Sequence, residues 1–165
     1  GDHVWNWPLP IPLSARNDVL VFQTEPLQEN VEVTGEIRVK FWATSSSLDT
    51  DFTAKLVDVE PNGYARNLCD GIIRGRYRTP RSLPSLLDPG EIYELAIDLG
   101  PTSNVFKEGH RIRLEVSSSN FPRFDRNMNT GDSIGTDTTF VSALQTVYHS
   151  PQHPSRIILP VIPRD

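Results

Sequence analysis

The chain has 165 residues, a net charge of −5 and an isoelectric point near 5.3. This length suits one domain, and the acidic balance argues against a nucleic-acid binder, which normally shows a basic face. No stretch approaches the roughly 18 apolar residues that a membrane span needs, so no membrane partner is expected.

Cys69 is the only cysteine, which excludes an internal disulfide and a CxxC motif. In its strand-like context this thiol is expected to be a small buried hydrophobic group.

The N-terminal segment, residues 1–16, is predicted to be an extended arm. Trp5 and Trp7 are followed by prolines at alternate positions, which prevent a helix. The two tryptophans are expected to lie on an apolar surface, such as a neighbouring domain. No signal peptide is visible, because a charged start and an apolar stretch are both missing. A chain that begins inside a longer protein would look the same, so the compartment stays open, with the cytoplasm slightly favoured.

Residues 17–165 are predicted to form one all-β domain. Short stretches in which apolar and polar residues alternate, as they do in half-buried strands, recur between Gly, Pro and Asn residues. Strands are expected at Val19–Phe22, Ile37–Thr44, Phe52–Val59, Ala65–Arg74, Tyr93–Leu99, His110–Val116, Leu144–Tyr148 and Arg156–Val161. Asn62-Gly63 is a tight-turn signal, so the third and fourth strands are predicted to form a hairpin.

About eight short strands predict two packed antiparallel sheets, that is, a β-sandwich of the jelly-roll type. The long connections 77–88 and 118–142 favour a jelly roll over a meander, because they suggest crossings between the sheets. Arg74, Arg76 and Arg78 stand at a spacing of two, so a strand would place all three on one solvated face.

One motif imitates a catalytic site. Residues 131–135 read Gly-Asp-Ser-Ile-Gly, which matches the nucleophile elbow of α/β-hydrolases. Asp137 and then His149 or His153 follow in the order of a catalytic triad. The elbow, however, requires a buried strand before the serine and a helix after it, and polar residues flank this motif on both sides. Ser133 is therefore predicted to be a loop residue, with a minimal hydrolase as an alternative to test.

Two further patterns contain residue types that bind metal ions. His149 and His153 are four residues apart, which brings two ligands together only on a helix, and prolines interrupt that stretch. Asp49 and Asp51 could contribute to a calcium site, but the other ligands and the glycine of a dedicated calcium loop are missing. No metal and no cofactor is therefore expected.

The most unusual stretch follows the sixth predicted strand. Residues 117–131 read Ser-Ser-Ser-Asn-Phe-Pro-Arg-Phe-Asp-Arg-Asn-Met-Asn-Thr-Gly. Asparagines and hydroxyl groups bond backbone atoms and so rigidify an irregular loop. This loop is predicted to hold a fixed shape or to meet a surface. Trp42 lies on the polar phase of its strand and is predicted to face a neighbouring domain, with a glycan as the alternative partner.

This loop sequence resembles the signature of the C-terminal domain of X-prolyl dipeptidyl-peptidase and cocaine-esterase-type serine hydrolases. Other segments resemble the same family in the same order, so that the resemblance covers about residues 17–163; they are residues 18–27, 49–63, 89–91, 109–114 and 153–160. The resemblance implies a galactose-binding-like jelly roll packed against an α/β-hydrolase domain. In this family the Ser-His-Asp triad belongs to the hydrolase domain, and no position of this chain matches it, so no catalytic residue is carried over.

The resemblance therefore predicts a non-catalytic accessory domain whose partner is the α/β-hydrolase domain of its parent chain. It would cover one side of the active-site region, and homo-oligomerisation is left open. The residues predicted at the interdomain surface are Phe121, Phe124, Arg126, Asn129, Trp42, Trp5 and Trp7. For Asn129, stapling of its own loop explains the residue at least as well. The alternative from another class is a free-standing carbohydrate-binding β-sandwich module.

Overall fold

The computed structural model describes residues 16–79 and 82–163, and eight β-strands account for its regular structure. They are β1 (Val19–Gln23), β2 (Val31–Ser45), β3 (Asp51–Val59), β4 (Ala65–Arg74), β5 (Tyr93–Phe106), β6 (Arg111–Ser117), β7 (Gln145–Tyr148) and β8 (Arg156–Ile158). A short 3-10 turn at Gly75–Tyr77 follows β4. Within the described ranges, no helix has the length and apolarity to cross a membrane. Residues 1–15 of the predicted N-terminal arm, including Trp5 and Trp7, lie outside the described residues.

The strands form two antiparallel sheets. The first sheet has the order β1-β6-β3-β4, and the second has the order β5-β2, with β7 and β8 pairing end to end along the far side of β2. The connections β4–β5 and β6–β7 both cross from the first sheet to the second, as their length predicted. The predicted all-β jelly-roll sandwich is confirmed.

The core lies between the two sheets. Because successive residues of a strand point to opposite faces, the alternation along β2 places Val39 and Phe41 inside. From the opposite sheet, β3 contributes Phe52 and Leu56, and the rings of Phe41 and Phe52 meet edge to face with centroids 5.3 Å apart. Such aromatic contacts add to the free energy that burial contributes.

Two strands extend beyond the segments that the sequence pattern predicted. β2 already begins at Val31, and β5 continues to Phe106. The sequence pattern predicts that the fifth strand ends at Leu99, but Gly100 and Pro101 remain paired with β2, and a register shift after Ile37 absorbs the irregularity. A bulge of this kind lets a ladder continue past a residue that breaks the alternation.

Three connections meet at one end of the sandwich, which we call the loop end. They are residues 46–50 between β2 and β3, residues 75–92 between β4 and β5, and residues 118–144 between β6 and β7. Backbone hydrogen bonds join them: the Leu87 N–H donates to the Leu48 carbonyl at 2.7 Å. The Ser46 N–H donates to the Leu144 carbonyl at 3.0 Å. The loop end is thus built from segments that are distant in sequence.

Cys69 lies on β4 and packs against the core, but it is half-buried rather than buried as the sequence predicted. Burial, with a smaller contribution from the charge of Asp70, raises the pKa of the thiol to about 11.

The thiolate is the reactive form, so at pH 8 we expect iodoacetamide to alkylate Cys69 in the native chain about 100-fold more slowly than in the unfolded chain. Mass spectrometry of timed samples, with and without concentrated urea, measures both rates. Equal rates would contradict the assignment.

Candidate functional site

A buried ionic cluster supports the loop end. Asp49 and Asp51 are 0% and 1% exposed. Asp51 accepts two hydrogen bonds from the Arg74 guanidinium, from Nε at 2.8 Å and from Nη2 at 2.9 Å. Asp49 accepts from Nε of Arg76 at 2.7 Å and from the backbone N–H of the same residue at 3.0 Å. Asn127 donates through Nδ2 to both carboxylates, at 2.9 and 2.8 Å. Two buried carboxylates are thus paired with two guanidinium groups and one amide, as buried charges require.

The prediction that the three spaced arginines share a solvated face was wrong. β4 ends at Arg74 and the chain then enters the 3-10 turn, so the period of two is lost. Arg78 donates to three backbone carbonyls and lies over the ring of Tyr93, 4.4 Å from its centroid. The hydrogen bond with Asp51 raises the pKa of Arg74 above its ordinary value. The turn directs these side chains towards acceptors that residue spacing alone does not reveal.

The same contacts bear on the calcium hypothesis. Asp49 and Asp51 do lie side by side, but guanidinium and amide donors already occupy their carboxylates. In the part of the chain that the structure describes, no group of three or more His, Cys, Asp or Glu side chains is arranged to hold a metal ion. We therefore assign the two aspartates to holding the loop end together.

Asn129 holds the 118–144 connection in place through hydrogen bonds within it. Its φ of 65° lies in the left-handed region, which asparagine tolerates better than most residues. Its N–H donates to Oδ1 of Asn127 at 2.9 Å, and its side-chain amide donates to the carbonyl of Val141 at 2.9 Å. The Val141 N–H returns a bond to the carbonyl of Met128 at 2.9 Å. Of the two explanations that the sequence left open for Asn129, these bonds support loop stapling.

Ser133 lies in an exposed part of the same connection. Residues 118–144 contain neither strand nor helix, so the context that a nucleophile elbow requires is missing. Asp137, the aspartate of the apparent triad, accepts hydrogen bonds from Thr130 and Thr139, and these lower its pKa below the ordinary value. The two histidines of the apparent triad belong to the β7–β8 segment of the second sheet. The motif is therefore a polar turn.

The start of the 118–144 connection is anchored to β4. Nδ2 of Asn120 donates to a carboxylate oxygen of Asp70 at 2.7 Å, and Nε of Arg123 lies 3.1 Å from the other oxygen. Phe124 is half-buried, with the guanidinium of Arg123 5.5 Å from its ring centroid. Phe124 is therefore partly covered by its own loop.

Phe121 and Arg126 form an exposed pair in this connection. Phe121 is 61% exposed, and the Arg126 guanidinium lies 5.5 Å from its ring centroid. Arg126 also lines a shallow hollow of the loop end together with Arg74, Arg76 and Ser133. These two predicted surface residues therefore do lie on an accessible surface.

Exposed apolar side chains are concentrated at the loop end. Of the sixteen large apolar side chains that are exposed among the described residues, eight belong to its three connections. We call these eight the loop-end surface: Leu48, Leu83, Leu86, Phe121, Ile134, Phe140, Val141 and Leu144. Phe140 and Leu144 are the most exposed, at 76% and 74%. Sequence reasoning missed both, although apolar residues without periodicity in a polar loop were an available signal.

Trp42 lies apart from these connections, on the outer face of the second sheet. It is half-buried, and its ring packs edge to face against His153 with centroids 5.1 Å apart. Tyr148 packs on the same histidine at 5.5 Å. Of the predicted residues, the structure brings Phe121, Phe124, Arg126 and Asn129 together on one connection.

Comparison with known proteins places this fold in a family. The sequence model described as the X-Pro dipeptidyl-peptidase C-terminal non-catalytic domain matches residues 4–158. Cocaine esterase from Rhodococcus sp. (strain MB1 Bresler) is 52% identical over 155 residues, which is 93% of this chain and 27% of that protein.

Solved structures agree with this assignment. An α-amino acid ester hydrolase matches with a TM-score of 0.85 and 36% identity, over 91% of this chain and 26% of its own. An aminopeptidase from the marine sediment archaeon Thaumarchaeota archaeon matches with a TM-score of 0.81 and 34% identity, over 91% and 27% of the two chains. This chain thus spans about a quarter of the length of these relatives. It belongs to the family of X-Pro dipeptidyl-peptidase C-terminal non-catalytic domains.

Proposed function

We propose that this chain is the accessory domain of an ester- or peptide-cleaving serine hydrolase. It packs on the α/β-hydrolase domain of its parent chain through the loop-end surface and helps to shape the region around the active site. The observation that carries the proposal is the loop-end surface itself, with Phe140 and Leu144 largely exposed. Large apolar side chains that are exposed together at one end of a domain favour an interaction site, because covering them removes apolar area from water.

The rigidity of the loop end also supports docking. A loop that must be ordered on binding loses conformational entropy and weakens the complex. Here Asn127 and Asn129 hold the 118–144 connection in advance, through bonds to Asp49, Asp51 and Val141. A connection that is already ordered can present apolar side chains to a partner with little further loss of entropy.

The proposed reaction of the parent rests on its relatives. Cocaine esterase and the α-amino acid ester hydrolase are named for ester cleavage, and the archaeal aminopeptidase for peptide cleavage. Both reactions transfer an acyl group, and the family resemblance implies that a serine of the hydrolase domain carries it. In this chain we assign Phe121 and Arg126 to direct interdomain contact, and Phe124 and Asn129 to supporting the loop. Trp42, Trp5 and Trp7 stay predicted contacts.

The carbohydrate-binding alternative depends on Trp42 as an open aromatic platform. Its ring is half-buried and packed against His153. No observation favours this alternative over interdomain packing, and a Trp42→Ala variant that lost saturable glycan binding would revive it.

A chimera tests the proposal, with this chain replacing the matching quarter of Rhodococcus cocaine esterase. We expect the chimera to hydrolyse cocaine and to unfold in one transition. Phe140→Asp and Leu144→Asp are each expected to lower its Tm by about 5 °C or more, because a charge would enter an apolar contact. In the isolated chain the same changes are expected to shift Tm by less than about 2 °C, since both side chains are already exposed. Calorimetry measures the Tm of the chimera and of the isolated chain.

Tyr64→Asp is the matched control. Tyr64 is 50% exposed and follows the turn between β3 and β4, at the opposite end of the sandwich. If Phe140→Asp and Leu144→Asp affect the chimera no more than Tyr64→Asp does, the loop end is not the docking surface. Turnover of p-nitrophenyl acetate by the isolated chain that Ser133→Ala abolishes would instead make residues 131–135 an active site.

A further inference from the structure

We propose that Arg126, which lies over the ring of Phe121, binds a carboxylate side chain of the α/β-hydrolase domain. This inference rests on the proposed function, since it names the chemistry of the partner at the loop end. It would make the exposed pair a specific ionic anchor within a largely apolar contact.

The arginines of the loop end differ in their partners. Arg74 and Arg76 are paired with buried aspartates, and Arg123 is paired with Asp70. Arg78 donates to backbone carbonyls. Arg126 instead contacts the ring of Phe121, and no ion pair joins it to any residue within 16–79 or 82–163. Among the loop-end arginines that the structure describes, Arg126 is therefore the one whose hydrogen-bonding capacity is left for solvent or for a partner.

The N–H donors of Arg126 meet no oxygen acceptor within residues 16–79 and 82–163, where its contact is with the ring of Phe121. A guanidinium is planar and carries five such donors in its plane. In the isolated chain water satisfies these donors. A domain that covers them without acceptors would leave buried charged donors unpaired, which is strongly unfavourable. The covering surface must therefore supply acceptors.

A carboxylate fits this requirement best. It accepts two parallel N–H bonds from one guanidinium, and this chain already contains such a pair, in which Asp51 accepts from Nε and Nη2 of Arg74. Arginine and aromatic residues are also the commonest anchors of protein interfaces. An aliphatic partner at the same place would remove water from the Arg126 donors without supplying hydrogen-bond acceptors.

Asp132 allows the sign of the partner's charge to be tested. Its side chain is exposed and lines the same hollow as Arg126. An incoming carboxylate would be repelled by Asp132, so Asp132→Asn is expected to raise the Tm of the chimera at low salt. A cationic partner would produce the opposite shift.

The test uses the chimera with cocaine esterase and the isolated chain side by side. Arg126→Met is expected to lower the Tm of the chimera by about 4 °C or more at low salt and that of the isolated chain by less than about 2 °C. The difference is expected to shrink in about 1 M NaCl, where charges are screened. Arg126→Lys is expected to recover only part of the loss, because it keeps the charge but lacks the planar fork. Arg156→Met, at an exposed arginine of β8, is the control and should shift both proteins equally.

Equal effects of Arg126→Met in the chimera and in the isolated chain would overturn the inference. A loss that is independent of salt would also overturn it, because backbone carbonyls rather than a carboxylate would then be the acceptors. The Phe140→Asp and Leu144→Asp variants separate this failure from failure of the proposed function. If they destabilise the chimera while Arg126→Met does not, docking through the loop end is supported and the carboxylate contact is rejected.

Discussion

Asp49→Ala is expected to lower the free energy of unfolding by about 3–5 kcal/mol, the cost of removing one partner from a buried ion pair. Asp49 is 0% exposed and accepts bonds from Arg76 and Asn127. Without the carboxylate, the largely buried guanidinium of Arg76 has lost its counter-charge and cannot reach water freely. Urea unfolding of the isolated chain at pH 7, followed by tryptophan fluorescence, measures the loss.

Two variants make this prediction specific. Glu36→Ala removes one partner of the exposed pair with Arg38 and is expected to cost less than about 1 kcal/mol. The double variant Asp49→Ala/Arg76→Met removes both charges and is expected to be more stable than Asp49→Ala alone, because no unpaired buried charge is left. A loss for Asp49→Ala no larger than that for Glu36→Ala would show that the cluster is not important for stability.

Gly71→Ala is expected to lower the free energy of unfolding by about 2–4 kcal/mol, through overlap where the two sheets approach each other. Gly71 lies on β4, and a Cβ atom there would stand 2.3 Å from the carbonyl oxygen of Asp98 on β5. It would also stand 2.8 Å from Cγ2 of Ile97. Backbone cannot move away as a flexible side chain can, so the strands would have to separate.

Asn67→Ala is the matched control for this change. Asn67 lies on the same strand but is exposed, so its replacement is expected to alter stability by no more than about 0.5 kcal/mol. Urea unfolding midpoints compare the two variants directly. A Gly71→Ala chain as stable as the Asn67→Ala chain would contradict the close approach of β4 to β5.

The strands could be predicted largely from sequence because alternation is a local property. β4 runs from Ala65 to Arg74 as predicted, and Asn62-Gly63 correctly indicated the hairpin between β3 and β4. The first part of β2 and the last part of β5 escaped prediction. They are held by pairing with each other, and Gly100 and Pro101 obscure the pattern. The paired residues are 65 to 75 positions apart, from Glu36–Pro101 to Val31–Phe106, so the partner has no effect on the local periodicity.

The sequence by itself determined the all-β class, the crossing connections, the resemblance to the family, and Phe121 and Arg126 as surface candidates. Only the tertiary structure decided how the loop end is built. Asn127 is 78 and 76 residues from Asp49 and Asp51, and it meets them only after β3, β4 and β6 have paired. The direction of an arginine side chain likewise depends on acceptors that distant segments supply, because a buried charge persists only where the whole fold provides its partner.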